Sequence, residues 1–353
     1  MFSKTTVRGL LAAALLASAV SAQADVFNMG GTRNPTTGTW TGLASLQFVT
    51  VGDPGNVADT QVMNDGTTGY GSVPYVYQMG KYDVTAAQYT AFLDAVAATD
   101  TYGLYNLGMA SSWGACGISR SGSPGSYTYS TNKNGNFPVN DVTWGDAARF
   151  CNWLQNGQPT GAEGNGTTET GAYTLDGDTT VLMESRNAGA TYFLPSEDEW
   201  YKAAYYVGGG TNAGYWAYPT KSNTVPGNTL PDTGNNANFF ISHYTDPTNH
   251  VTPVGDFANS PGPYGTYDMG GDVYQWNEAN VSGSFRGLRG GSFDDYSTTL
   301  PSSSRNYDSP TDKNDVTVGF RVASGVAVPE PTSIALLFAG AAAFGIWKLR
   351  RNA

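Results

Sequence analysis

Three stretches of the chain repeat their apolar residues at helical spacing, and each has its own start signal. Tyr89, Phe92, Leu93 and Val96 fall at i, i+3, i+4 and i+7, the spacing of one buried helix face. Thr85, with Gln88 three residues on, supplies a capping box before them. A second helix is predicted from Thr143, with Ala147, Phe150, Cys151 and Leu154 on its inner face. A third follows Pro195, where Ser196 and Glu199 form a Ser-x-x-Glu box ahead of Trp200, Ala203 and Ala204.

Elsewhere the pattern shortens. Leu46-Gln47-Phe48-Val49-Thr50-Val51 alternates with period two, so residues 25–73 read as β-hairpin material belonging to the same domain. Gly, Asn, Thr and Ser dominate 156–171, 208–236 and 294–315, which are predicted as surface loops. No repeat of 20–50 residues is apparent, which argues against solenoids and propellers. Nothing between 74 and 323 has the composition of a domain linker, so one domain is expected there.

The two ends read as addresses. Residues 1–24 carry Lys4 and Arg8, the apolar run Leu10–Val20 and small residues at Ala22 and Ala24, the layout of a cleaved export signal. At the other end, Val328-Pro329-Glu330-Pro331 precedes an apolar helix predicted over 334–347, followed by Lys348, Arg350 and Arg351. The basic cluster should stay on the cytoplasmic side. This tail, 328–353, resembles the PEP-CTERM sorting signal. The resemblance implies exosortase-type sorting machinery as a partner, and an exported protein of the cell surface or extracellular matrix. The membrane is then contacted only through the tail, as a transient or retained anchor.

Composition narrows the functional classes. Only 13% of the 353 residues are charged, yet the chain holds 45 Gly, 8 Trp, 22 Tyr and 15 Phe. So many large aromatic side chains exclude a disordered chain. Five of the 18 basic residues and none of the 29 acidic ones lie in residues 1–24 and 332–353. The remaining 13 basic and 29 acidic residues give the middle of the chain a net charge of −16. Such a surface has no basic excess to displace counterions from phosphates, so nucleic acid is excluded as a partner.

Six blocks in order carry a family resemblance. They are Gly80–Thr85, Pro138–Leu154, Phe193–Trp200, Tyr264–Trp276, Arg289-Gly290-Gly291-Ser292-Phe293 and Val318-Gly319-Phe320-Arg321-Val322. Over 74–323 the chain resembles the formylglycine-generating enzyme (sulfatase-modifying factor) family. The resemblance implies an irregular, loop-rich α+β fold akin to C-type lectins, with short antiparallel strands and two or three helices. Trp144, Trp153, Trp200 and Trp276 within the blocks are expected in the core.

The family's oxidases use a cysteine pair that binds copper, a soft metal suited to thiolates. The matching positions here hold Asp295 and Leu300, so that centre is absent as the family builds it and copper is not expected. Cys116 and Cys151, the only two cysteines, are expected either as buried free thiols or as one disulfide. His243 and His250 lie seven apart with no metal-ligand spacing around them. Asp294 and Asp295 are adjacent, a poor arrangement for a glycosidase pair. No Gly-x-Ser-x-Gly elbow is present.

The resemblance also implies structural Ca²⁺. One site would use Asn238, Asp246 and the carbonyls of Phe239 and Thr248. A second would use Asp268, Gln275 and the carbonyls of Gly271 and Val273, with Gln275 in place of the family's Glu. Oxygen donors of this kind suit a hard cation. The expected function is a non-catalytic binding or structural module of the cell surface or exopolysaccharide matrix, with polysaccharide as the ligand class. The alternative is an oxidative metalloenzyme with a different centre in the same pocket, near Ser292, Asp295 and Arg289.

Overall fold

Each predicted cap starts a helix in the computed structural model of the protein. The structure describes residues 32–33, 40–41, 46–111, 113–210 and 214–325. The export signal (1–24) and the sorting tail (328–353), with the helix predicted over 334–347, lie outside the described residues. Among the described residues no helix is long and apolar enough to cross a membrane.

The order of elements begins β1 (Thr32–Arg33), β2 (Trp40–Thr41), β3 (Phe48–Val51), β4 (Tyr77–Gly80), α1 (Ala86–Val96) and α2 (Gly108–Ser111). It continues β5 (Ile118–Ser121), β6 (Thr128–Thr131), α3 (Trp144–Gln155), β7 (Tyr192–Phe193) and α4 (Glu197–Tyr205). The last are β8 (Tyr274–Val281), β9 (Phe285–Arg289), β10 (Asn306–Asp308), β11 (Val318–Gly319) and β12 (Ala323–Ser324). Thr85, Thr143 and Ser196 cap α1, α3 and α4, each through a reciprocal capping box. Asp146 completes the box of α3.

Among the described residues, two four-stranded sheets organise the fold. One has the order β3-β4-β12-β7, so β12 near the C-terminal end sits between β4 and β7. Ala323 is in register with both Met79 and Phe193. The other has the order β10-β9-β8-β11, antiparallel except for the β8–β11 pair. Two-stranded ribbons β1–β2 and β5–β6 complete the set. This is the loop-rich α+β architecture the blocks implied. Gly80 is obligatory, because a Cβ there would sit 2.8 Å from the Val322 carbonyl of the adjoining strand.

Helix α3 is buried on every side except at Gln155, which identifies it as the central helix. Phe150 meets Tyr89, Phe92, Trp153 and Phe320 at ring separations of 5.4–6.1 Å. Trp144, Trp153, Trp200 and Trp276 are all buried. Cys116 and Cys151 are buried free thiols, which removes the disulfide alternative. Burial pushes the Cys116 thiol up to about 12 and raises Cys151 as well.

The three segments expected at the surface are partly internal. Arg149, on the enclosed face of α3, needs a counter-charge, and Glu169 of the 156–171 segment provides it through two bonds of 2.8 and 2.9 Å. Asn228, Asp232 and Asn236 are buried in the second segment, and Leu300 and Ser302 in the third. Polar composition misleads here because these loops supply the partners that buried polar groups require.

Asp141 has a testable cost. It is 2% exposed, holds a left-handed φ of 58°, and its Oδ2 makes no hydrogen bond. Burial first, then repulsion from Asp315 and Asp312, pushes its carboxyl up to about 7. A carboxyl raised in the folded state leaves stability intact below about pH 4 and lowers it progressively as pH rises to about 7. Asp141→Asn keeps a residue tolerant of positive φ. It should stabilise the protein by up to about 4 kcal/mol at pH 8 and by little at pH 4, as read by urea unfolding at both.

Candidate ligand site

The Arg-Gly-Gly-Ser-aromatic block forms a forced turn after β9. A Cβ on Gly291, whose φ is 76°, would sit 2.3 Å from Thr299 Oγ1, and one on Gly290 would meet the Met269 carbonyl at 2.9 Å. The turn delivers Ser292 to Asp295. The Ser292 backbone N–H and hydroxyl both donate to Asp295 Oδ2, at 3.0 and 2.5 Å. Burial raises the Asp295 carboxyl, opposed by these Ser292 bonds. The Asp295 carbonyl accepts the Phe240 N–H at 2.8 Å.

Ser292 and Asp295 are therefore together, as expected. Arg289 is not with them. It is a buried clamp that donates to Glu197 Oε1 at 2.9 Å and to the Ser304 and Ser302 carbonyls at 2.6 and 3.2 Å. Two glycines of positive φ, Gly290 and Gly291, separate it from Ser292. Leu300, at the family's second cysteine position, packs with Ala237 and Phe239 in an apolar cluster. A hydrocarbon side chain and a serine-bonded carboxylate are not the donor set for a soft copper ion. The copper-thiolate centre does not fit these residues.

Around this turn lies an aromatic surface. Trp113 is 46% exposed and packs on His250, Phe293 and Tyr244 at 4.4, 5.3 and 5.4 Å. Phe240 joins Tyr244 at 4.8 Å to Tyr296, which is 63% exposed, at 5.5 Å. The Tyr244 hydroxyl donates to exposed Asp294 at 2.9 Å. Burial and Asp294 together push that phenol up to about 12. His250 is buried beneath, its Nδ1 without a hydrogen bond, and burial pulls its imidazole down. Trp113, Tyr244 and Tyr296 come from three separate loops, so only the fold reveals them as one surface.

The first set of cation candidates is drawn together by His250. Its N–H donates to the Asp246 carbonyl at 2.9 Å, and its carbonyl accepts Asn238 Nδ2 at 2.8 Å. Asn238 Oδ1 is buried and makes no hydrogen bond. Asp246 closes its own turn on the Thr248 and Asn249 N–H groups, and these bonds hold its carboxyl down against burial. The Phe239 carbonyl accepts Asn228 Nδ2 at 3.0 Å.

The second set is differently placed. Gln275 Oε1 already accepts Trp200 Nε1 at 2.6 Å and Arg321 Nε at 2.7 Å, and its amide donates to the Asp268 carbonyl. With both lone pairs used, Gln275 serves the core and not a cation. Asp268 Oδ2 accepts the Gly255 N–H at 2.7 Å. Gly271 is fixed by contact, since a Cβ there would meet the Asn238 carbonyl at 2.2 Å. Val273 packs with Phe137, Val251 and Phe293. The sequence reading missed Asp272, which is buried and accepts Asn238 Nδ2 at 3.0 Å and the Thr252 N–H at 3.1 Å.

The fold and this site define a class. The model of the sulfatase-modifying factor enzyme 1-like domain matches residues 57–326, and the chain belongs to that family. Among solved structures it is similar to PvdO from Pseudomonas aeruginosa, at 18% identity and TM-score 0.48, over 80% of this chain and 95% of that one. It is also similar to CarF, at 21% identity and TM-score 0.44, over 80% and 99%. Treponema denticola variable protein 1 matches at 17% identity and TM-score 0.44, over 84% and 99%. No curated protein matches the chain.

Proposed function

We propose that the domain is a non-catalytic binding module of the cell surface or exopolysaccharide matrix, exported by residues 1–24 and sorted through the 328–353 tail. The observation that carries the reading is the exposed Trp113–Tyr244–Tyr296 surface around Asp294, set beside a turn that holds Asp295 and Leu300 in place of thiolates. Aromatic faces stack on the apolar faces of sugar rings, and a carboxylate accepts their hydroxyls. Polysaccharide is therefore the ligand class.

Calcium supports the same surface from below. Asn238 Oδ1, without a partner in a buried position, is the oxygen donor a hard cation takes, and Asp272 beside it adds a carboxyl group. Asp246 and the carbonyls of Phe239 and Thr248 complete the proposed set. Elemental analysis of the purified Asp25–Ala327 unit should find calcium and no stoichiometric copper or iron. Chelation should lower the melting temperature by about 5 °C, the effect of losing a ligand held at about 100 times its Kd. Stoichiometric copper or iron would instead support the oxidative metalloenzyme reading, with its centre at Ser292 and Asp295.

A further inference from the structure

A cavity opens beside the start of α1, away from the Ser292 turn. It encloses about 180 Å³ and is lined by Gln47, Tyr82, Asp83, Gln88, Asn136 and Val254, among others. That volume is below the range of drug-sized ligand pockets, about 300–1,000 Å³, so the occupant is small. No lysine, arginine or histidine lines it, which gives it nothing to select an anion. Its walls are mixed: one tyrosine ring, side-chain amides and two aliphatic residues.

One feature marks it as built: the Tyr82 ring is fixed by stacking on Tyr267 at 5.5 Å, with Lys81 Nζ 5.2 Å from its centre. The Asp83 side chain is fully enclosed behind the wall, its Oδ1 bonded to Arg321. The exposed Asn136 lines the cavity from a different segment. A ring to pack against, the amides of Gln47 and Asn136, which both donate and accept, and no cationic side chain on the wall together suit a neutral polyhydroxylated ring.

The cavity is also tied to the aromatic surface. The Val254 N–H donates to the Asn136 carbonyl at 2.9 Å. His250, under Trp113, is four residues earlier, a stretch that spans at most about 14 Å. Phe137, next to Asn136, packs with Val251 and Phe293 of the aromatic side.

We propose that this cavity is a subsite for a single pyranose unit, a chain end or branch of the polysaccharide lying on the Trp113 surface. The polymer part rests on the function proposed above; single-sugar binding does not. The test is saturation-transfer NMR of the protein with methyl glucopyranoside, mannopyranoside and galactopyranoside at millimolar concentration. At least one should bind. Asn136→Arg, which blocks the mouth from an exposed position, should weaken binding at least tenfold, and Gln47→Ala about threefold. Trp113→Ala should leave it within twofold. Binding by none of the three sugars, or binding unchanged in Asn136→Arg, would overturn the subsite. Absence of polysaccharide retention by the wild-type protein, with single-sugar binding preserved, would overturn only the Trp113 reading.

Discussion

At pH 9, where Asp83 is ionised, Arg321→Leu should lower the melting temperature by about 10 °C, corresponding to about 3–5 kcal/mol for breaking a buried ion pair from one side. Both Arg321 and Asp83 are fully enclosed, and their side chains meet at 3.1 Å. The guanidinium also donates to Gln275 Oε1, the Gly80 carbonyl and the Tyr267 carbonyl, at 2.7, 2.7 and 2.9 Å. It therefore joins the end of β4, the start of β8 and the segment before it. Leucine would leave these acceptors without this donor, and Asp83 without a counter-charge.

The deficit should depend on pH. Burial pushes the Asp83 carboxyl up to about 8 even though Arg321 opposes it. Without the guanidinium it rises further. The added penalty falls where the carboxyl would otherwise ionise, so the loss should be larger at pH 9 than at pH 6. Asp83→Asn should cost less, because Arg321 keeps its uncharged acceptors. Thermal unfolding of both variants at the two pH values checks the account; an unchanged Arg321→Leu would remove the network from it.

Trp113→Ala should have little effect on folding and a large effect on binding. Half-exposed, the indole contributes less to the core than the four buried tryptophans. Truncating a central aromatic contact of an interface costs about 2 kcal/mol, roughly a thirtyfold loss of affinity. Tyr296→Ala, at the outer end of the same surface, should lose less. A Trp113→Phe variant retains a ring and should recover part of the affinity.

Much of the scaffold was legible in the chain. Thr85, Thr143 and Ser196 announce their helices by local hydrogen-bonding chemistry, which needs no tertiary context. Indole burial at Trp144, Trp153, Trp200 and Trp276 follows from size and from the close-packed blocks around them. The site was less legible. Ser292 and Asp295 are three apart and meet through a local turn, so sequence could pair them. Arg289 belongs to the same block, yet it turns to Glu197, a partner 92 positions away. Trp113, Tyr244 and Tyr296 form one surface across 183 positions, and no local pattern records that.

Gln275 and Glu169 show the same division. Block matching puts Gln275 where a cation ligand would stand, but its neighbours Trp200 and Arg321 claim its oxygen first. Glu169 sits in a Gly/Thr-rich segment that reads as solvent-facing, and the buried Arg149 draws it inward. In both cases a distant buried donor decides the outcome. Spacing cannot encode such long-range pairing.

The function we propose is polysaccharide binding by an exposed aromatic surface on this family's fold, beside Asp295 and Leu300. Affinity electrophoresis of the Asp25–Ala327 unit tests it most directly, in gels containing dextran, hydroxyethyl cellulose or galactomannan. Wild-type protein should be retarded by at least one polymer, with Trp113→Ala running at its polymer-free mobility. Equal mobility of wild type and Trp113→Ala in every gel would contradict the account.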